Sequence, residues 1–174
     1  MGGAKMILDF SLTFEEVILK ILTPLFLTAL FGSIIGYERQ KIGKAAGISS
    51  HMLVAFASAA IAILQRLIYE FEIDLVAQGN LIDIQTQRII AQVLTGIGFI
   101  GAGVILKSNG AIKGITTATT IWSCAIMGII LGSGYILLGT IVGIFITVFI
   151  FLRDFLRGFN PFKENGKEDL EDHL

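Results

Sequence analysis

Apolar residues gather into five long runs along the chain, at Val17–Tyr37, Ser49–Ile68, Ile89–Leu106, Gly114–Leu131 and Ile136–Leu152. An α-helix rises 1.5 Å per residue, so crossing a hydrocarbon core of about 30 Å takes about 20 residues. The last three runs are short, but each has apolar or small flanking residues that can extend it. Thr13-Phe14-Glu15-Glu16 places a hydroxyl at an N-cap and a carboxylate three positions on, the capping box that opens a helix. Pro24 lies inside the first run, where the carbonyl it frees must be satisfied by a neighbour. The pattern predicts an all-α integral membrane protein, a bundle of five transmembrane helices.

Composition agrees. The 174 residues are 54% hydrophobic and 16% charged, against about 25% charged in an average soluble domain. Mean hydropathy is +0.80. Net charge is −1, which suggests neither nucleic acid nor a polyanion as partner. The single cysteine, Cys124, stands in an apolar run and reads as a small buried hydrophobe. His51 and His173 are too far apart in sequence to suggest a metal cluster. The opening "MGGAKMILDFSLTFEE" lacks the long apolar core of a secretory signal, and Met6 stands where a myristoylation motif needs Ser or Thr. Insertion is therefore expected to come from the body of the chain.

Basic residues set the orientation. Arg39, Lys41 and Lys44 follow span one, Lys107 and Lys113 follow span three, and Arg153, Arg157, Lys163 and Lys167 follow span five. The opposite side has Lys5, Lys20, Arg66 and Arg88, and its loop between spans two and three carries Glu70, Glu72, Asp74 and Asp83. The N-terminus is thus expected outside and the C-terminus in the cytoplasm. Residues 1–13 read as an extracytoplasmic segment, 14–155 as the membrane domain, and 156–174 as a solvated polar tail.

Within span three, "TGIGFIGAGVIL" contains Gly96-x-Gly98-x-x-Gly101, the letters of a dinucleotide-binding loop. That loop needs a preceding strand, a following helix and an acidic residue about 20 positions later. Here the glycines lie mid-span, and the later positions are Ile121 and Trp122. Small residues at helical spacing instead let helix backbones approach within a membrane. Ala91, Thr95, Gly98 and Ala102 form one such stripe, and Gly96 and Gly103 another. A helix thin on several faces is expected at the centre of the bundle, with Gly101 also packing and with Gly128-x-x-x-Gly132 and Gly139-x-x-x-Gly143 answering from spans four and five. The same glycines also leave open a local unwinding of the kind found at transporter ion sites.

Three blocks carry a family resemblance: "GYERQKIGKAAGISSHMLVAFASA", "QRIIAQVLTGIGFIGAGVILK" and "IKGITTATTIWSCAIMGIILGSGY". In order and spacing they closely resemble the MgtC/SapB family of bacterial inner-membrane proteins, from about Phe14 to Phe155. The resemblance implies a five-helix membrane domain and a role in adaptation to low magnesium, acid stress and, in pathogens, survival within phagocytes. It further implies action by modulating other membrane proteins, including the proton-driven ATP synthase. Long members add a soluble cytoplasmic domain after the fifth helix, so this chain is similar to the short, SapB-like form. Two departures stand out. Gly47-Ile48-Ser49-Ser50 replaces the family's Gly-Leu-Arg-Thr, and "DIQTQR" replaces Asp-Pro-x-Arg ahead of span three.

Ionisable and polar groups in or beside membrane spans are expensive and mark candidate functional positions. Glu38 and Arg39 match the family's Glu-Arg pair; as neighbours on a helix they are not expected to face each other. They either snorkel to the headgroups, or Glu38 pairs with Lys41, Lys113 or His51. Arg88 and Gln92 stand one turn apart at the entrance to span three, with Asp83 or a residue of span four as partners for Gln92. Thr117, within "TTATT", is expected to bond back to its own helix or to line an ion path. Trp122 is expected in packing or a pocket wall, and His51 as a group able to titrate near neutral pH.

No Asp or Glu stands mid-span, whereas magnesium takes oxygen ligands, usually carboxylates. A midplane carboxylate site is therefore not expected and no cofactor is implied, with the binding or transport of Mg²⁺ left open. Nothing resembles a nucleophile-base pair, a zinc site or a phosphate loop, so an enzyme is not expected. The leading expectation is a non-enzymatic protein of the bacterial inner membrane supporting magnesium and stress homeostasis. Its partners would be the bilayer, other membrane proteins and a second copy of itself. The alternative is a small ion channel or transporter built around span three.

Overall fold

A computed structural model describes residues 12–79, 88–108 and 111–158. Five helices fall where the apolar runs lie: α1 Phe14–Lys41, α2 Ile48–Ala77, α3 Arg88–Val104, α4 Ile115–Gly132 and α5 Ile136–Leu156. All but α3 are long and apolar enough to cross a membrane; α3 has 17 residues. The capping box forms as expected, with Thr13 and Glu16 bonding each other's backbone. One turn of α1, Ile18–Leu22, is wound as a π-helix immediately ahead of Pro24. Pro24 has no N–H for the Lys20 carbonyl, and the Arg66 guanidinium donates to that oxygen instead.

Two features depart from the sequence pattern. Helix α2 runs on to Ala77, about nine residues beyond the expected end of span two, so Glu70, Glu72 and Asp74 are helical rather than in a loop. Glutamate is a good helix former, and Lys20 bonds Glu70 at 2.9 Å, holding this extension against α1. Strands β1 Leu106–Ser108 and β2 Ala111–Lys113 form an antiparallel hairpin between α3 and α4, pairing Lys107 with Ile112. Gly114 follows at φ 92°, and a Cβ there would lie 2.1 Å from the Val104 carbonyl oxygen. Only glycine can therefore bring the end of α3 this close to the start of α4.

The central helix is α4, not α3. Helix α4 touches each of the other four, and Cys124, Ala125, Met127 and Leu131 are fully buried on it. Helix α3 lies at the periphery against α4 and α2, with only Ile97 and Gly101 buried and Phe99 83% exposed. The glycines divide accordingly. A Cβ at Gly128 would lie 2.3 Å from the Ala55 carbonyl oxygen, and one at Gly132 would lie 2.3 Å from that of Ala59. Here the backbones of α2 and α4 are in direct contact. Gly32 and Gly36 do the same for α1 against α2, with Met52 Cα and Ile48 Cα at 2.9 and 2.5 Å. Gly139 and Gly143 receive the Leu131 and Phe31 side chains, and Gly101 meets Ala118 at an ordinary 3.7 Å. A Cβ at Gly96, Gly98 or Gly103 would meet nothing within 4 Å outside its own stretch of helix. Their expected packing role is not realised inside this chain, because α3 meets the bundle on the side of Ile97 and Gly101 and both glycine stripes lie off that side.

Candidate functional site: a buried ion-pair network at one end of the bundle

Up-and-down connectivity brings the last turns of α1 and α5 to the same end of the bundle. Glu38 and Arg39 stand on the former and Asp154 on the latter. Glu38 and Arg39 are fully buried and Asp154 is 3% exposed. The Arg39 guanidinium donates to both Glu38 oxygens, Nε to Oε2 at 2.5 Å and Nη2 to Oε1 at 2.7 Å. Its Nη2 also bonds Asp154, tying α1 to α5 across the chain. Arg153 forks onto Asp154 through two bonds of 2.8 Å. The expectation that Glu38 and Arg39 would not meet is thus wrong. Both side chains are shut away from water, and the long arginine folds back because its neighbour's carboxylate lies within reach. Lys41 does not pair with Glu38; its ammonium lies over the Tyr37 ring at 5.6 Å.

His51 stands in the first turn of α2 and is fully buried. Its Nδ1 lies 2.8 Å from the Gly47 carbonyl oxygen, so that nitrogen donates. Its Nε2 lies 3.0 Å from the Thr120 hydroxyl, which also lies 2.9 Å from its own helix carbonyl at Thr117. A neutral ring accepts the hydroxyl hydrogen; a protonated ring donates to the hydroxyl, which then bonds Thr117. Either state satisfies both side chains. Thr117 is itself buried at 3% exposure, while Thr119 and Ser123 bond back to their own helix as expected.

The remaining expected positions do not join this site. Trp122 is 45% exposed and faces away from the core rather than walling a pocket. Gln92 is exposed on the outer face of α3 instead of turning toward α4, and Arg88 is exposed at the start of that helix. Asp83 lies outside the described residues, as do most of segments 1–13 and 156–174. Three residues that sequence reasoning passed over carry structural weight. Asp154 bridges α1 and α5, and Arg66 serves the proline-freed carbonyl. Gln65, buried at 6% exposure, accepts the Ile90 N–H at 3.1 Å and so caps the start of α3. Each is a polar residue at a helical spacing that points inward, and that was the available signal.

Among the described residues no group of three His, Cys, Asp or Glu stands close enough to hold a metal ion. Glu38 and Asp154 are already engaged by guanidinium groups, which is a poor arrangement for magnesium.

Residues 25–159 match the MgtC family. The chain belongs to that family. It is 42% identical over 120 residues to a protein of Escherichia coli (strain K12) named "Putative magnesium transporter YhiD", covering 69% of this chain and 54% of that protein. It is 34% identical over 117 residues to "Protein MgtC" of Brucella abortus (strain 2308), covering 67% and 44%. Against "Protein SapB" of Bacillus subtilis (strain 168) it is 37% identical over 117 residues, covering 66% and 48%. The chain therefore spans about half the length of these relatives. No solved structure matches. Family and apolar helices together make it a multi-pass membrane protein.

Proposed function

We propose that this chain is a non-enzymatic membrane protein that supports magnesium homeostasis and stress or virulence adaptation by binding other membrane proteins. The observation that carries the reading is the division of its glycines. Gly128 and Gly132 close the interior by backbone contact, whereas Gly98 on one side of α3 and Gly96 with Gly103 on another present thin helix faces with nothing against them. Small residues on a membrane helix surface are what a partner helix packs on. The ATP synthase that the family resemblance implies is one candidate partner, and a second copy is another. The interior contacts between α1, α2 and α4 weigh against the alternative of an ion path through the core. In this reading all five helices span the inner membrane, with the N-terminus outside and the ion-pair network at the cytoplasmic end, where the basic residues gather.

The test replaces Gly98 with a photo-crosslinking residue in cells starved of magnesium. Capture of a membrane protein at Gly98, and not at lipid-facing Leu137 on α5, supports the proposal. Equal yields at both positions, or purified protein that conducts Mg²⁺, K⁺ or H⁺ in liposomes, would replace it with the channel reading.

A further inference from the structure

Among the described residues, the end of the bundle that holds Arg39 carries more positive charge than its carboxylates answer. Arg39, Lys44, Arg153 and Arg157 lie within one another's electrostatic reach, and the carboxylates among them are Glu38 and Asp154. Both Glu38 oxygens are taken by Arg39, and Asp154 is shared between Arg39 and Arg153. Lys44 and Arg157 make no ion pair among the described residues, so four cations face two carboxylates. Partial burial and then repulsion from Arg39, Arg153 and Arg157 push the Lys44 ammonium below its ordinary pKa. A second observation points the same way. Arg39 is fully buried, yet its Nη1 has no hydrogen-bond partner among the described residues. A buried N–H group left unpaired is costly, and a guanidinium nitrogen is the donor best suited to a phosphate oxygen.

We infer that this end of the bundle binds a phosphate-type anion between the α1–α2 connection and the base of α5. Arg39 Nη1 is the inner donor, and Lys44 and Arg157 supply the outer charge. The ligand's phosphate comes either from an anionic phospholipid headgroup, which is abundant where membrane helices end, or from a soluble phosphate. Nothing in this inference depends on what binds the α3 face, so the two readings stand or fall separately.

The experiment measures binding of phosphatidylglycerol, phosphatidylcholine and inorganic phosphate to the full chain in detergent, by native mass spectrometry and thermal shift. Lys44→Gln/Arg157→Gln removes two exposed cations without touching the buried pair. Each basic residue near an anionic headgroup contributes roughly fivefold, so the double variant should weaken phosphatidylglycerol binding about 25-fold. The control is Lys107→Gln/Lys113→Gln, which makes the same charge change on the hairpin. Loss confined to the first variant with phosphatidylglycerol supports a lipid site, and the same loss with inorganic phosphate supports a soluble ligand. Equal loss in both variants, unchanged binding in the first, or no preference for anions over phosphatidylcholine would overturn the inference.

Discussion

Adding one methyl group at Gly128 and at Gly103 should have opposite consequences. At Gly128 the new Cβ would stand 2.3 Å from the Ala55 carbonyl oxygen and 3.3 Å from the Ala59 nitrogen, both backbone atoms that cannot rotate away. Ordinary contact begins at 3.4 Å, so α2 and α4 must part by about 1 Å along their closest line. Overpacking of this kind costs up to about 3 kcal/mol, and the better helix propensity of alanine returns up to about 1 kcal/mol. The net loss for Gly128→Ala is about 2 kcal/mol, a fall of roughly 4–8 °C in unfolding temperature for a chain of this size. At Gly103 the new methyl group meets nothing within 4 Å. Propensity alone then acts, and Gly103→Ala should unfold at or a few degrees above the parent temperature.

The assay is thermal unfolding of both variants in mild detergent, monitored by circular dichroism, with mass confirmed by light scattering so that only monomer is compared. Gly128→Ala unfolding at the parent temperature would refute the backbone contact between α2 and α4. Gly103→Ala falling as far as Gly128→Ala would refute the outward placement of the side of α3 that carries Gly96 and Gly103, because a neighbour would already be packed there. The comparison also separates two readings of one sequence motif. Both residues are helical glycines in apolar spans, and only their surroundings differ.

Three further outcomes follow from the polar contacts. Asp154→Asn leaves Arg39 and Arg153 without their shared carboxylate and should destabilise by about 3–5 kcal/mol in the same assay; Glu38→Gln/Arg39→Met should cost less than the two single changes together, and additivity would argue against the pair. Arg66→Met should cost about 1–3 kcal/mol by stranding the Lys20 carbonyl, and the cost should shrink in a Pro24→Ala background, where residue 24 regains an N–H for that oxygen; equal costs in both backgrounds would show that Arg66 acts some other way. Gln65→Leu removes the acceptor for Ile90 N–H, and hydrogen exchange should speed up over the first turn of α3 while α4 is unchanged; faster exchange in both helices would point to general loosening instead.

What the sequence disclosed follows from which physical quantities are local. Helix existence depends on the length of an apolar run and on caps, so all five helices, the Thr13–Glu16 box and the need to serve a carbonyl ahead of Pro24 were readable. The pairing of β1 with β2 between α3 and α4 was not readable, because strands of three residues leave too short a signal beside two adjacent apolar runs. Facing is not local. Gly98 with Ala91, Thr95 and Ala102, and Gly96 with Gly103, have the spacing of packing stripes as much as Gly128 and Gly132 do, and only the paths of α2 and α4 decide which stripe is occupied. Gly32-x-x-x-Gly36 is used in full, although it sits in a run where Pro24 and the Glu-Arg pair draw the eye. Asp154 shows the limit most clearly. In sequence it lies among Arg153 and Arg157, where basic residues alone set the orientation, and it looks like a counter-ion at the membrane edge. Its weight comes from Arg39, which lies 115 positions away in sequence and within hydrogen-bonding distance in the fold. A buried guanidinium with adjacent Glu38 as its only acceptor would leave most of its donors unserved. The need for a second carboxylate was therefore implicit in placing Arg39 inside the bundle, and an inward-facing acid at the end of the last helix is where an up-and-down bundle could supply it.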